Sequence, residues 1–195
     1  MRKQDVIEFF DRMAPGWDSD LIRHDEVISK ILDGAGVKPG VRVLDVACGT
    51  GVLIPDYLER QVERVNGVDI APEMIRIALE KFPQEKVRFL CGDVEELPLE
   101  EQYDVIMVYN AFPHFPEPER LVRVLSGHLA PGGRLTIAHG MSRAAIDNHH
   151  RGSASKVSCG LISEHVLAAM MRKYLTLEVK ISDDRMYQVT GKKIM

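Results

Sequence analysis

The chain has 195 residues, 45% of them hydrophobic and 28% charged, with a formal net charge of −4 and a pI near 6.0. That is enough apolar material for a sizeable core under a soluble surface, on the scale of one domain. The acidic balance argues against a dedicated nucleic-acid binder, which needs a basic stripe to neutralise phosphates, and no run of 18 apolar residues exists to span a membrane. The three cysteines, Cys48, Cys91 and Cys159, make neither a metal-type pair spacing nor an even disulfide set. Met1-Arg2-Lys3-Gln4-Asp5 leads into an acidic amphipathic segment rather than an apolar signal core. Both features predict a cytoplasmic protein.

Val6, Phe9, Phe10 and Met13 fall at i, i+3, i+4 and i+7, which predicts a helix over residues 4–13. Ala14-Pro15-Gly16-Trp17-Asp18 breaks it and presents the one tryptophan of the chain. A second amphipathic helix carries Val27, Ile28, Ile31 and Leu32 and stops around Gly34-Ala35-Gly36. Residues 1–36 are therefore expected to be a helical appendage to a core formed by residues 37–195, in one domain.

From there strand alternates with helix. Val41 to Val46 is a strand passing into a small-residue turn, and residues 52–62 are helix-compatible. Val65 to Asp69 is the next strand, and the helix after it, with Pro72 in its first turn, is expected to bury Met74, Ile75, Ala78 and Leu79. Val87 to Leu90 and Tyr103 to Val108 are further strands; Leu121, Val122, Leu125 and Leu129 mark a helix. Pro131-Gly132-Gly133 reads as a turn feeding a strand from Arg134 to Ala138, followed by a polar loop. Ser163 can cap a helix running to Tyr174, and the runs Leu175–Ile181 and Met186–Thr190 form a closing hairpin. The alternation predicts an α/β, doubly wound, mainly parallel sheet with an antiparallel last strand.

In such a sheet, ligands bind beyond the C-terminal ends of the strands, where the strand order switches direction. Asp45, Asp69 and Asp93 all fall at or near such ends, and Gly49 and Gly51 let a ligand approach the main chain. Asp69 comes 18 residues after Gly51, close to the roughly 20 expected of a ribose-binding acid. A dinucleotide site would want a third glycine where Ile54 stands. A cofactor with ribose and adenine but no phosphate fits better.

At this point the chain resembles the class I S-adenosylmethionine-dependent methyltransferases. Asp45-Val46-Ala47-Cys48-Gly49-Thr50-Gly51 resembles their glycine-rich first motif and Gly67-Val68-Asp69-Ile70-Ala71-Pro72-Glu73-Met74 their acidic second. Gly92 to Pro98, Tyr103 to Asn110 and Leu129 to Leu135 resemble the motifs that follow, in order and over about half the chain. Phe10 to Asp18 is similar to the lid of the small-molecule branch that includes the quinone-ring methyltransferases, although Pro113-His114-Phe115-Pro116 departs from the segment usual in those enzymes. The resemblance implies a seven-stranded sheet and transfer of a methyl group to a small-molecule acceptor by direct in-line displacement. It puts Asp45 and the Gly49–Gly51 backbone at the methionine part of the cofactor, Asp69 at the ribose, Asp93 and Val94 at the adenine, and Asn110 near the methyl group. Trp17, Ala47, Thr50, Ile70 and Met74 complete the expected contacts, with residues 1–24 forming a mobile lid.

Four histidines, His114, His139, His149 and His150, follow the later strands and are expected at the acceptor pocket, with His114 and His149 as the candidate catalytic bases or metal ligands. Whether O, N, C or S is methylated, and whether a base or metal is needed, stays open. Two other classes compete: a nicotinamide-dependent oxidoreductase, disfavoured by the missing glycine, and a non-catalytic S-adenosylmethionine-binding protein. RNA or protein methylation would want a basic patch or a recognition domain that the sequence does not carry.

Overall fold

The computed structural model describes residues 1–150 and 156–194, with the backbone alone at 149 and 150. Seven strands are present among them: β1 (Arg42–Val46), β2 (Arg64–Asp69), β3 (Val87–Cys91), β4 (Tyr103–Tyr109), β5 (Leu129–His139), β6 (Thr176–Ser182) and β7 (Tyr187–Lys192). They form one sheet in the order β3-β2-β1-β4-β5-β7-β6. β1 pairs in parallel with β2 and β4, β2 with β3, and β4 with β5. β7 runs antiparallel to both β5 and β6. This is the doubly wound arrangement expected, with its last strand reversed. The β6–β7 connection is tight enough to reverse because the Asp183 carboxylate accepts the N–H groups of Arg185 and Met186, at 2.9 and 2.8 Å.

Helices α1 (Lys3–Met13), α2 (Asp25–Ala35), α3 (Ile54–Glu59), α4 (Pro72–Lys81), α5 (Pro118–Gly127), α6 (Arg143–His150) and α7 (Glu164–Met171) accompany the sheet. Because neighbouring strand residues point to opposite faces, the apolar run of β1 feeds two cores. Leu44 and Val46 pack with Leu121 and Leu125 of α5 and Leu167 of α7. Val43 packs with Ile28 and Ile31 of α2 and Ile54 and Tyr57 of α3. This two-faced burial explains why the central strands β1 and β4 read as continuous apolar runs, while the edge strand β6 alternates. Helix α2 ends where Gly36 turns left-handed, at φ 78°.

Several local expectations are corrected. Leu79 is 53% exposed; α4 presents Met74, Ile75 and Ala78 to the core, and Leu79 sits one residue, roughly 100°, round from Ala78. Met13 is likewise exposed, while Val6 is the buried residue of α1. Leu129 opens β5 rather than closing α5. The Pro131-Gly132-Gly133 turn is a bulge inside β5, since Tyr103 pairs with Leu129 but Val105 with Arg134. At Gly133 a side chain would lie 2.8 Å from the Tyr103 carbonyl oxygen, so only glycine fits. Residues 143–150 are helical where a polar loop was expected, and α7 stops at Met171, before Tyr174. Ser163 does cap α7, accepting the Val166 N–H at 3.3 Å.

Candidate functional site

The chain runs from β1 outward through β2 to β3, then returns to place β4 on the other side of β1. Connections leaving β1 and β4 therefore diverge, and a crevice opens beyond their C-terminal ends. Its floor is the turn after β1 and the ends of β2 and β4; the loop after β3 and the segment from Ala111 to Glu117 form its walls. Residues of the N-terminal segment, among them Lys3, Phe10 and Trp17, roof it.

The turn after β1 owes its shape to left-handed residues: Ala47 at φ 54°, Gly49 at 55° and Gly51 at 86°. The Cys48 N–H donates to the Val68 carbonyl at 3.1 Å, tying the turn to β2. Asp69, the last residue of β2, fastens it further. One carboxylate oxygen accepts the Gly49 N–H at 2.8 Å and the other the Ala71 N–H at 2.9 Å, joining the glycine turn to the start of α4. Burial nonetheless raises its pKa, outweighing those bonds. Asp45 is deeper and receives no hydrogen bond among the described residues. Burial, with the neighbouring charges of Asp69 and Asp56, pushes its carboxyl up to about 8.

Asp93 lies just past β3. Its Oδ1 accepts the Glu95 N–H at 2.9 Å, and its carboxylate pairs with the Lys3 ammonium. Asn110, after β4, is left-handed at φ 54°, and its side-chain oxygen accepts the Gly140 N–H at 3.0 Å. Beside it, burial raises the Tyr109 phenol to about 12. His114 reaches the crevice wall with Nδ1 2.6 Å from the Val157 carbonyl oxygen and its ring edge-on to Phe10, centroids 5.0 Å apart. A carbonyl only accepts, so Nδ1 carries the hydrogen and the lone pair of the neutral ring is on Nε2.

Of the residues picked from sequence, Trp17, Asp45, Ala47, Gly49, Asp69, Ile70, Met74, Asp93, Val94, Asn110 and His114 come together around this one crevice. Thr50 and Gly51 stand behind it. The Thr50 hydroxyl donates to Asp18 at 2.6 Å, and a side chain at Gly51 would meet the Phe82 ring at 2.6 Å. His139 is buried and packs edge-on against Tyr187, centroids 6.0 Å apart, away from the crevice. His149 and His150 close α6 rather than lying extended in a loop, and their side chains fall outside the described residues. No group of three His, Cys, Asp or Glu that could hold a metal occurs among the described residues. Lys3, Glu95 and Arg120 also line the crevice and were not singled out from sequence. Charges at a helix start, as at Lys3 and Arg120, or in a turn, as at Glu95, read as solvated faces, and only tertiary contact distinguishes them.

Three features test whether S-adenosylmethionine fits. The Trp17 indole N–H is buried without a hydrogen-bond acceptor among the described residues. It faces Gly49, where a Cβ would lie 3.8 Å from Nε1 and 3.9 Å from the Met74 sulfur, so the absent side chain leaves a cradle. The third is the Asp45 carboxyl, which has no donor. An amino acid's carboxylate and ammonium satisfy a buried donor and a buried acid respectively, and the residues fit.

Residues 44–137 match the family model described as a methyltransferase domain. A malonyl-[acyl-carrier protein] O-methyltransferase of Acetivibrio thermocellus is 32% identical over 66% of this chain and 47% of its own length. A ubiquinone biosynthesis O-methyltransferase of Xanthomonas campestris pv. campestris is 34% identical over 51% of this chain and 43% of its own length. The chain thus spans less than half the length of either relative. The N-methyltransferase NodS of Bradyrhizobium japonicum, solved with S-adenosyl-L-homocysteine, superposes with a TM-score of 0.73 at 15% identity, covering 96% of this chain and 97% of NodS.

Proposed function

We propose, from the methyltransferase domain carried by residues 44–137, that this chain transfers a methyl group from S-adenosylmethionine to a small apolar acceptor. The observation that carries the reading is the meeting of Asp45, Gly49, Asp69 and Asp93 in one crevice beside the unmet N–H of Trp17. In this reading Asp45, Gly49 and Trp17 hold the amino-acid end, Asp69 the ribose, and Asp93 with Val94 the adenine. Ala47, Ile70, Met74 and Asn110 complete the walls.

When bound, the cofactor supplies a methyl group already activated by a sulfonium. What the chain contributes is alignment and exclusion of water. Phe10, Trp17 and Phe115 give the roof and wall an apolar, aromatic character suited to a flat acceptor. A quinone-type ring is one candidate, in keeping with the relative named for ubiquinone biosynthesis. His114 is the proposed base: with Nδ1 committed to Val157, Nε2 can take a proton from an acidic hydroxyl or carbon. The cytoplasmic setting is part of the same proposal, resting on three cysteines that are all unpaired; no helix among the described residues is long and apolar enough to cross a membrane.

Calorimetric titration with S-adenosylhomocysteine, alongside mass spectrometry of ligand carried through purification, tests the reading. One-site binding of the homocysteine product is expected. Binding of NADH in its place would favour the oxidoreductase alternative, and cofactor binding without turnover on any acceptor would favour a binding protein.

A further inference from the structure

Resting on the methyl-transfer reading, we infer that Lys3 is an electrostatic latch on nucleoside entry, holding Asp93 when the crevice is shut and retreating to Glu96 when it opens. The N-terminal segment crosses the crevice pinned at three points. At its far end Asp18 receives the Thr50 hydroxyl and the Lys81 ammonium, both at 2.6 Å. In the middle, Asp11 accepts the Glu73 N–H at 2.9 Å, at the first turn of α4. At its beginning, the Lys3 ammonium sits on the Asp93 carboxylate and 2.6 Å from Glu96 Oε1. The first two pins tie the segment to the glycine turn and α4; the third ties it to the loop after β3.

That third pin occupies the group the adenine needs. Asp93 Oδ1 is taken by the Glu95 N–H and Oδ2 by Lys3, while Met1, Arg2 and Lys3 line the same end of the crevice as Asp93 and Val94. An exocyclic amine approaching Asp93 meets an ammonium already in place. Lys3 does not have to leave for solvent, because it already bridges two carboxylates. Ceding Asp93 to a neutral donor, it keeps Glu96, and Asp93 exchanges an ion pair for a neutral hydrogen bond. The Lys3 side chain is 47% exposed, against 13% for Asp93 and 60% for Glu96, so water screens the ammonium in either position and its shift toward Glu96 moves it to the more solvated partner.

Lys3→Met keeps the aliphatic stem and removes the charge. With S-adenosylhomocysteine as the probe, a zwitterion without net charge that long-range steering barely affects, association is measured by surface plasmon resonance across a salt series. The variant is expected to associate roughly two- to fivefold faster, the range an exposed pair allows. The wild-type rate should climb with salt toward that of the variant, whose own rate stays flat. Hydrogen exchange without ligand supplies the independent arm: residues 3–13 should exchange faster in Lys3→Met. Equal association rates and equal salt slopes overturn the latch, even if α1 exchanges faster, since the pair then holds the helix without gating entry. Unchanged exchange of α1 overturns it whether or not any ligand binds. If neither protein binds the probe, the methyl-transfer reading falls and the gate with it, an outcome the exchange measurement keeps distinct from a failed latch.

Discussion

The two halves of the sheet treat their polar groups in opposite ways. On the β3 to β4 side, Asp69, Asp93 and Asn110 stand at or just past strand ends and border a crevice, with Asp45 one residue inside. On the β5 to β6 side, polar groups turn toward one another within the core. Thr136 and Thr190 hydroxyls lie 2.8 Å apart, the Gln188 amide donates to the Ile31 carbonyl at 3.0 Å, and His139 packs on Tyr187. Strand direction makes the difference. β1 and β4 are parallel neighbours whose onward connections diverge. β7 runs antiparallel to β5 and brings Tyr187 into register with His139, so the end of β5 is covered by the start of its neighbour. His139 is shut off because one of its two neighbours, β7, runs the other way, although β4 on its other side is parallel.

Asp69→Ala strikes the open half hardest. It strands the Gly49 and Ala71 N–H groups and is expected to cost about 3 kcal/mol or more of stability, two charge-assisted bonds being lost together. Affinity for S-adenosylhomocysteine should fall by more than about tenfold; calorimetry showing unchanged affinity in the folded variant would leave Asp69 as a fastener of the turn alone. His114→Ala should lower turnover about 100-fold, the scale of a lost general base, while sparing cofactor affinity and melting temperature. His139→Phe should do the reverse, shifting stability and leaving turnover per folded molecule unchanged. Swapped outcomes for these two histidines would dissolve the contrast between the halves.

The pH dependence of Asp45 sharpens it further. Its folded carboxyl is raised to about 8 from the ordinary value of 3.8, so the folded state binds the proton more tightly than the unfolded one. Its effect on stability is therefore most favourable below pH 3.8 and declines as pH rises through the window up to about 8. Asp45→Asn should flatten that slope in thermal melts. A ligand ammonium beside Asp45 favours its ionised form, so binding near neutral pH should release up to about one proton, seen as a buffer-dependent calorimetric enthalpy. Release that persists in Asp45→Asn would assign the proton elsewhere. The smallest effect belongs to the closed half. The Tyr187 hydroxyl is buried with no hydrogen-bond partner among the described residues, so Tyr187→Phe should be neutral or stabilise by up to about 1 kcal/mol, and a clear loss on denaturant melting would reveal a partner.

Much of this could be read from sequence because it rests on local signals. β1, β2 and β4 are apolar, partly β-branched runs ending in small or polar residues, and that pattern put Asp45, Gly49 and Asp69 near one another, while Asn110 entered only through the family resemblance. The misses have non-local causes. The burial of His139 depends on the register of a strand nearly fifty positions later. Helix α6 escaped because Ile146 is its one buried residue among the described side chains, too little for a period to show. Lys3 and Arg120 look like ordinary surface charges until folding sets them against Asp93 and Glu95. Both Asp69 and Asp93 also accept backbone N–H groups two residues on, a local structural role beside the proposed ligand contacts.

Ala47 and Asn110 share a left-handed backbone, each at φ 54°, though neither is glycine. They follow neighbouring strands at the crevice, and with Gly49 they bring stretches of main chain to its floor. Peptide groups cannot be deleted by a point mutation, so the floor is robust to mutational drift so long as these turns keep their shape. The roof from Lys3 to Trp17 and the wall from Ala111 to Glu117 are made of side chains, each replaceable in one step. Evolution of a new acceptor preference has its raw material there, over a floor that need not change.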